Sequence, residues 1–454
     1  MSPIIVWLRR NLRLRDNPAF ERAAASGRPV IPVYVAGDPD TGGASRWWLH
    51  HSLVALDESL SALGGRLLVI EGDPAVELAR IAAGTGAREL CYVRRYEPAA
   101  RAEEAAVERA LDEQVSLRAF DDALLHHPDT VLAASGAPYR VFTPYWRRAT
   151  ALGGPAAPAT GLPRVDFAAH GLESVPIAAL GLTPAAPDWA GGLRKTWAPG
   201  EASALARLDA LGTVAEHYRE DRDRPDRDAT TRLSPHLAFG EVSVRQVWAA
   251  VAAARRDGMP GASAEAVLRQ LYWRDFSHYL LHHFPALPER PLRPEFEHFP
   301  WIDDPELLAT WQRGRTGYPI VDAGMRELWH TGWMHNRVRM IVASFLVKDL
   351  MIPWQRGAEW FLDTLVDANL ANNSASWQWV AGCGTDAAPY FRIFNPARQA
   401  EKFDPEGRYV RRWVPEAGTA RYPAPVVDHA QARRRALEAY EIMRGTARAG
   451  RSPD

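Results

Sequence analysis

The feature that most constrains the fold is an alternation of short apolar runs with helix-like stretches over the first 130 residues. The runs are rich in β-branched side chains, which favour extended backbone. They predict strands at residues 4–8, 30–35, 66–70, 89–93 and 116–120. Strands that alternate with helices favour a doubly wound parallel sheet with helices on both faces. Neither a G-x-G-x-x-G nor a Walker-type loop follows any of these runs, so the pattern by itself identifies no ligand.

Two changes in pattern divide the rest of the chain. Residues 151–193 are rich in Ala, Gly and Pro with little periodicity, which predicts a connector on the surface. From residue 201 onward helical periodicity dominates, most clearly over residues 264–283, 322–350 and 353–365. We therefore predict an α/β domain, an interdomain connector and an all-α domain, over residues 1–130, 131–195 and 196–454 respectively.

Composition narrows the class of protein. A hydrophobic content of 47% with 24% charged residues is typical of a globular protein, and no run reaches the roughly 20 apolar residues that cross a bilayer. The N-terminus shows no secretory signal pattern, so a cytoplasmic location is expected. The two cysteines, Cys91 and Cys383, are too few for a disulfide framework or a four-cysteine iron–sulfur cluster. The sequence predicts no metal site.

Charge does not decide whether nucleic acid is a partner. Residues 1–130 carry 15 basic and 19 acidic side chains, and residues 131–454 carry 39 and 36. Counterion release depends on the contacting face alone, so a near-neutral chain still binds DNA where its basic residues cluster. Residues 392–413 contain six basic and three acidic residues between aromatics. A phosphate-tracking surface and a solvated loop explain that segment equally well.

The segment DANLANNSASWQW, residues 367–379, departs most from the amphipathic pattern of the helical region. It places an aspartate, three asparagines and two tryptophans where core and surface positions should alternate, and such departures tend to mark function. The Asn373 amide both donates and accepts, which suits a heterocycle whose protonation changes in a redox cycle. Asn372 has an alternative interpretation as a helix cap.

Two further motifs suggest polar sites on helices. In WMHNRVRM, residues 333–340, a helical period places Asn336 and Met340 on one face with Arg339 beside them. A core arginine needs a carboxylate, and Asp367 is the nearest candidate. The run TTRLSP, residues 230–235, predicts a helix start with Ser at the N-cap and Pro after it. Its hydroxyls, guanidinium and free N–H groups would also suit a pyrophosphate, and both interpretations stay open.

Six motifs together identify a family. TTRLSPHLAFG, QLYWRDF, GYPIVDAGMREL, GWMHNRVRM, DANLANNSASWQW and DAAPYFRIFNP occur in the order and spacing of the photolyase/cryptochrome family, which the chain resembles from about residue 1 to 415. The resemblance implies an N-terminal antenna-type α/β domain, a helical domain that holds FAD in a U shape, and light-driven electron transfer. It makes UV-damaged DNA the expected partner. We expect a monomer.

The resemblance assigns cofactor and electron-transfer roles to individual residues. Those matching the contacts to the FAD phosphates and adenine are Tyr218, Thr230, Thr231, Arg232, Leu233 and Ser234. Other cofactor positions are Arg274, Asn369, the ion pair of Arg339 and Asp367 beside the isoalloxazine, and Asn373 near flavin N5. The tryptophans matching the chain that carries an electron from the surface to the flavin are Trp377, Trp354 and Trp301. Simple packing is the alternative for each.

The resemblance also implies a cavity for a lesion flipped out of the duplex. The two indoles that wedge the damaged dinucleotide correspond to Trp273 and Trp379, and other wall positions to Asn336, Arg337 and Met340. Gln270 stands where many cyclobutane-dimer enzymes have Glu, and Arg392 matches a DNA-facing arginine. In these enzymes light-excited reduced FAD gives an electron to a cyclobutane pyrimidine dimer, the ring splits and the electron returns.

Two other functions of the family remain as alternatives. Relatives that repair the 6-4 photoproduct carry His at the positions of Asn336 and Met340, because their chemistry needs proton transfer. This chain has His at neither position, which favours the cyclobutane dimer, although Gln270 also occurs in 6-4 enzymes and in cryptochromes. A cryptochrome-like photoreceptor is the second alternative. Asn373 disfavours it, because that position differs in many animal and plant cryptochromes.

A second, light-harvesting chromophore is also expected from the resemblance. Relatives that use folate have an Asn-Glu pair just after the fourth strand, and the corresponding residues here are Ala99 and Ala100. A folate antenna is therefore disfavoured. A deazaflavin, another flavin or an empty site remain as alternatives.

Overall fold

The computed structural model describes residues 1–37, 42–386 and 391–449, with the backbone alone for 446–449. Residues 387–390 of the DAAPYFRIFNP motif and residues 450–454 of the predicted helical domain lie outside the described residues. Within the described part, no helix is both long and apolar enough to cross a lipid bilayer.

The N-terminal region contains a five-stranded parallel sheet, which confirms the predicted doubly wound fold. The strands are β1 (Ile4–Leu8), β2 (Val30–Ala36), β3 (Leu68–Glu71), β4 (Glu89–Val93) and β5 (Ser116–Phe120). Their order is β3-β2-β1-β4-β5, with Ile4 in register with both Val30 and Glu89. The inner strands are buried except for Ala36 at the end of β2, and apart from Glu89 they consist of apolar runs. Only β3 differs noticeably from prediction, starting two residues later.

Four helices connect the strands, and sixteen more follow in the described residues. The connecting helices are α1 (Pro18–Ser26), α2 (Gly43–Ala62), α3 (Pro74–Thr85) and α4 (Pro98–Ala110). The others are α5 (Phe142–Ala151), α6 (Gly191–Thr196), α7 (Glu201–Asp209), α8 (Leu211–Val214), α9 (Tyr218–Asp221), α10 (Ser234–Phe239), α11 (Val244–Arg256), α12 (Gly261–His283), α13 (Pro305–Gln312), α14 (Pro319–Thr331), α15 (Asn336–Ser344), α16 (Trp354–Thr364), α17 (Leu370–Ala381), α18 (Pro396–Phe403), α19 (Arg408–Trp413) and α20 (His429–Ala449). Short 3-10 turns occupy Pro128–Thr130, Ile177–Leu180 and Pro294–His298.

The single helical pattern expected over residues 322–350 is wrong. Gly332, whose φ of 65° lies in the left-handed region, ends α14, and its N–H donates to the Leu328 carbonyl. The chain restarts as α15 after His335, whose ring accepts from the Arg337 N–H. A π-helical turn then occupies Phe345–Asp349. Hydrophobic periodicity continues across this break because both helices bury one face in the same core.

The long segment after α5 lies against the sheet. Its Ala168 N–H donates to the Val30 carbonyl at 2.9 Å, and its Val175 N–H donates to the Val69 carbonyl at 2.9 Å. These bonds extend the backbone pairing of β2 and β3. The segment thereby covers the sheet with side chains such as Phe167, which packs on the core of the N-terminal region.

A buried group of charges joins the sheet region to the helices. Arg13 and Asp122 form an ion pair in which each side chain is 2% exposed. Arg245 on α11 reaches across to Asp122 at 3.0 Å and to Asp16 at 2.9 Å. Because these charges satisfy one another away from water, they fix the two regions in one arrangement.

Candidate functional site

The core of the site is an ion pair between two of the sequence motifs. The Arg339 guanidinium donates to both Asp367 carboxylate oxygens, at 2.8 and 3.0 Å, so the expected pairing is present. Its Nε–H also donates to the Met334 carbonyl at 2.7 Å. The Asp367 side chain is 4% exposed and that of Arg339 is 25% exposed. The carboxylate is therefore held below the surface with one face of the guanidinium still accessible.

Three helices converge on this pair. Helix α17 packs against both α12 and α15. At its start Asn369 accepts from the Asn372 N–H, and its amide lies 3.2 Å from the His278 Nε2 atom on α12. The His278 Nδ1 atom in turn bonds the Arg274 carbonyl at 2.9 Å. Burial, together with the Arg274 charge, lowers the pKa of His278 to about 4, so this ring is neutral and accepts from the amide.

The asparagines of α17 have different structural roles. Asn369 is the N-cap, so the interpretation of Asn372 as the cap is wrong. Asn372 lies in the first turn, where its N–H is bound by the cap. Asn373 is buried at 9% exposure, and its amide donates to the Ala358 carbonyl on α16 at 2.9 Å. This bond fixes the rotamer and leaves the amide oxygen for another partner.

The residues predicted for the phosphate side lie in and before two short helices. Tyr218 begins α9 and is buried, while the run from Thr230 to Ser234 leads into α10. The Arg232 guanidinium lies 5.0 Å from the Trp333 ring centre, and that of Arg339 lies 5.9 Å from the same ring. Trp333 thus brings this run next to the ion pair. Leu233 is buried at 2% exposure and Ser234 is exposed.

The expected N-cap at Ser234 is wrong. Helix α10 begins at Ser234 itself, its cap position falls on Leu233, and no side chain caps it. Pro235, at the second helical position, has no backbone N–H, so this helix start leaves one fewer donor to be satisfied. Since α10 has only six residues, the positive charge near its start comes chiefly from the Arg232 side chain. The backbone of Arg232 is left-handed, with a φ of 49°, and forms the turn before the helix.

The three predicted electron-transfer tryptophans belong to one hydrophobic core. Trp377 and Trp354 are each 2% exposed, whereas Trp301 packs against the same core and is partly exposed. Trp377 rests on Gly357, where any Cβ would overlap its ring. The Ile302 N–H donates to the Met351 carbonyl at 2.8 Å, which ties the Trp301 loop to the start of α16. The exposed fraction is therefore lowest for Trp377 and Trp354 and higher for Trp301, which lies nearer the surface.

The predicted lesion-wedging indoles stand on α12 and α17. Trp273 is half-buried and stacks on Phe142 with ring centres 3.6 Å apart and planes 7° from parallel. Trp379 is also half-buried, and the exposed Arg392 lies 5.7 Å from its ring centre. Gln270 accepts from Arg222 at 3.4 Å. Trp273 also makes an edge contact with Phe276, with ring centres 6.0 Å apart, so its packing on α12 is fixed.

Helix α15 carries the remaining wall positions. Asn336 is its exposed first residue, and Met340 is half-buried one turn later. Arg337 pairs with Asp223 at 2.9 Å and lies 4.4 Å from the Phe403 ring centre, so its charge is already partly engaged. The same helix therefore carries wall residues and, at Arg339, the ion pair.

Several residues that organise the site were not predicted from the sequence. His278 lies one helical turn after Arg274, so the i,i+4 spacing could have indicated it. Phe142, which supports Trp273, lies 131 positions earlier in the chain and gave no local signal. Asp223, the ion-pair partner of Arg337, lies 114 positions earlier in the chain, and no local pattern indicated it.

A cavity of about 800 Å³ lies between the sheet region and these helices. The ends of β2, β3 and β4 contribute Gly37, Gly72 and Val93 to its wall, and the helical side contributes Arg274 and Asn369. Ligands of parallel α/β sheets bind at this edge, beyond the carboxyl ends of the strands. The cavity therefore reaches from the sheet edge to the residues around the ion pair.

Comparison with known proteins agrees with this arrangement. Residues 4–163 match the family described as DNA photolyase, and residues 267–420 match the FAD binding domain of DNA photolyase. A deoxyribodipyrimidine photo-lyase from Agrobacterium fabrum is 45% identical over 475 aligned positions, covering 98% of this chain and 99% of the relative.

Solved structures are similar over almost the whole chain. A bacterial class III photolyase from Agrobacterium tumefaciens has a TM-score of 0.94 at 45% identity and covers 98% of each chain. An archaeal photolyase from Sulfolobus tokodaii, solved with two FAD molecules, has a TM-score of 0.82 at 29% identity and covers 97% of this chain and 99% of that one. The chain belongs to the photolyase/cryptochrome family and carries that family's FAD-binding domain.

Proposed function

We propose that this protein repairs cyclobutane pyrimidine dimers in DNA with light, as a deoxyribodipyrimidine photo-lyase. The observation that supports the proposal is the packing of α17 against α12 and α15, because these three packed helices carry Arg339 and the half-buried indoles Trp273 and Trp379, and Asp367 lies just before α17. One helix, α15, contributes to both the cofactor side and the lesion side. A lesion bound there would lie next to the cofactor.

The donor set fits FAD. Arg232 offers a cation, and Thr230, Thr231 and Ser234 offer hydroxyls, which together suit a diphosphate. The Arg339–Asp367 pair and the Asn373 amide offer fixed donors and acceptors to the edge of a polar ring system. When bound, reduced FAD supplies the light-excited electron donor. Arg274 and Asn369 complete the proposed cofactor contacts.

The protein's part in repair is to hold the dimer in place and exclude water. A flipped nucleotide costs a few kcal/mol to unstack, less when its pairing is already distorted. Trp273, held flat by Phe142, and Trp379 offer replacement stacking surfaces. Gln270 offers a neutral amide that donates to a pyrimidine carbonyl. Arg392 is exposed and available to a DNA phosphate.

The structure favours the cyclobutane dimer over the 6-4 photoproduct as substrate. His335 directly precedes the wall residue Asn336. Burial lowers the pKa of His335 to about 4, and its Nδ1 atom is used to cap α15. A neutral, buried ring with one nitrogen engaged is a poor proton donor at neutral pH. The wall thus lacks an evident acid for 6-4 repair among the described residues.

The test is a comparison of lesions under light and in darkness. Purified protein with reduced flavin is incubated with oligonucleotides that carry either a cyclobutane dimer or a 6-4 photoproduct. We expect light-dependent loss of the cyclobutane dimer alone. Repair of the 6-4 photoproduct would reassign the substrate. Flavin binding with repair of neither lesion would favour the photoreceptor.

Replacing Trp377 with phenylalanine is expected to abolish photoreduction of the oxidised flavin. Phenylalanine preserves most of the packing but is far harder to oxidise. Trp311→Phe is a matched control, because Trp311 is also fully buried and its ring centre lies 6.2 Å from that of Trp377. Flavin absorbance under blue light with an external reductant measures the rate. Equal loss in both variants would contradict the proposed path through Trp354 and Trp301.

Replacing Asn373 with alanine is expected to destabilise the reduced flavin while the protein remains folded. The lost bond to Ala358 costs about 1 kcal/mol, a small part of the stability of a domain. Re-oxidation of the reduced protein in air should be faster than in wild type. Asn372→Ala is the control, because that residue is on the same helix and half-buried. Unchanged re-oxidation in the Asn373 variant would remove its proposed role.

We also propose that the cavity at the sheet edge accepts a second chromophore. Ala99 and Ala100 line it, so the side chains expected in folate-using relatives are absent there. A deazaflavin or a second flavin is consistent with its volume of about 800 Å³. The absorption spectrum of the purified protein, with bound pigments extracted, distinguishes these from an empty site. The domain limits at residues 130 and 195, a monomeric state and a cytoplasmic location stay predictions.

A further inference from the structure

A cluster of metal-ligating side chains lies where the turn after β5 meets the end of α12. Asp129 is on that turn, and His282 and His283 are the last two residues of the helix. One potential ligand atom from each residue lies within 4.8 Å of the other two. The His282 Nε2 atom is 2.9 Å from the Asp129 Oδ1 atom. We propose that these three residues bind one divalent transition-metal ion of the Zn²⁺ type.

Two ring nitrogens of the cluster have unmet bonding capacity. The His282 Nδ1 and His283 Nε2 atoms are buried, and neither has a hydrogen-bond partner among the described residues. Buried polar atoms in proteins are nearly always partnered. The His283 ring also packs edge-on against Tyr279, with ring centres 4.5 Å apart. The free His283 Nε2 atom is thus available to an ion, whereas His282 would present the Nε2 atom that now bonds Asp129.

The type of donor selects the ion. Two imidazoles and one carboxylate match sites for Zn²⁺ and related ions, whereas Ca²⁺ and Mg²⁺ prefer oxygen donors alone. Bond lengths of about 2.0–2.2 Å to a tetrahedral Zn²⁺ put neighbouring ligand atoms about 3.4 Å apart. The present 2.9 Å separation of the His282 Nε2 and Asp129 Oδ1 atoms has to widen by about 0.5 Å, and the other ligand separations, which are all within 4.8 Å, have to reach the same value.

The position of the cluster allows an ion to enter. The Asp129 side chain is 59% exposed, so the carboxylate faces solvent. The fourth coordination position of the ion is open to water or to His127. The His127 Nδ1 atom lies 3.7 Å from the Asp129 Oδ2 atom, and its ring centre is 6.0 Å from that of His282. A bound ion would connect the sheet region to α12, which is the helix that carries Gln270 and Trp273.

The experiment is zinc titration of the untagged, flavin-loaded protein after treatment with a chelator. Calorimetry with ZnCl₂, and metal analysis after desalting, should give one Zn²⁺ per chain. At a free concentration 100-fold above Kd, binding should raise Tm by about 2–3 °C. Co²⁺ should give the visible bands of a tetrahedral site.

Matched variants decide whether the cluster is the site. His282→Gln/His283→Gln should bind no Zn²⁺ and show no Tm shift, while His298→Gln, at an exposed histidine in the turn Pro294–His298, should behave as wild type. Flavin absorbance and circular dichroism show that each variant is folded. Wild-type protein that binds no Zn²⁺, or binding that persists in the double variant, would overturn the proposal.

Discussion

Replacing Arg339 with leucine is expected to destabilise the protein by about 3 kcal/mol and to prevent it from retaining flavin. The Asp367 carboxylate is 4% exposed and would keep its charge without its partner, which is costly in a buried site. The estimate is at the low end of the usual range, because Arg339 is 25% exposed and water reaches part of the pair. The free energy of unfolding in urea and the flavin-to-protein absorbance ratio measure the two effects.

A double variant separates stability from cofactor binding. Arg339→Leu/Asp367→Asn removes both charges, so most of the lost stability should return. Flavin retention should not return, because the fixed donor and acceptor groups are gone. If Arg339→Leu unfolds at the same urea concentration as wild type, the pair is not a significant stabilising contact. If the double variant retains flavin normally, the proposed cofactor contact is wrong.

Replacing Asp122 with alanine is expected to have the largest effect on stability, a loss of about 3–5 kcal/mol. Two guanidinium groups, those of Arg13 and Arg245, lose the carboxylate that both contact. Arg13 is 2% exposed and would be left bonded mainly to carbonyls, such as that of Gly240 at 3.0 Å. A buried cation without a counter-charge is strongly unfavourable.

The neighbouring residue provides the control. Asp121 pairs with Arg94 at 3.1 Å, where both side chains are more than 40% exposed, and accepts from the Tyr96 hydroxyl at 3.1 Å, so Asp121→Ala should cost only about 1–2 kcal/mol. Urea unfolding followed by tryptophan fluorescence and by flavin release compares the two variants. Because Asp122 links the sheet region to α11, its loss should also allow the two regions to unfold separately. Tryptophan fluorescence and flavin release should then change at different urea concentrations. Coincident transitions with wild-type stability would contradict the role of this group.

Local patterns predicted most of the fold because local interactions decide it. The runs at residues 4–8, 89–93 and 116–120 became strands with the predicted bounds, and β-branched and apolar side chains favour extended backbone most clearly in the buried first run. The break at Gly332 was missed, because the apolar period continues through it and only the left-handed glycine and the His335 cap reveal it. The same limit applies to Ser234, where a cap and a first helical residue look alike in sequence.

The strand and helix pattern, the family, and the pairing of Arg339 with Asp367 could all be predicted from the sequence, because each depends on motifs that lie close together or recur in order. Three contacts became known from the packing alone: Phe142 supports Trp273, Asp122 is shared by two arginines, and Asp129 meets His282 across 153 positions. Side-chain contacts between distant segments depend on how whole helices pack, and no local period encodes them.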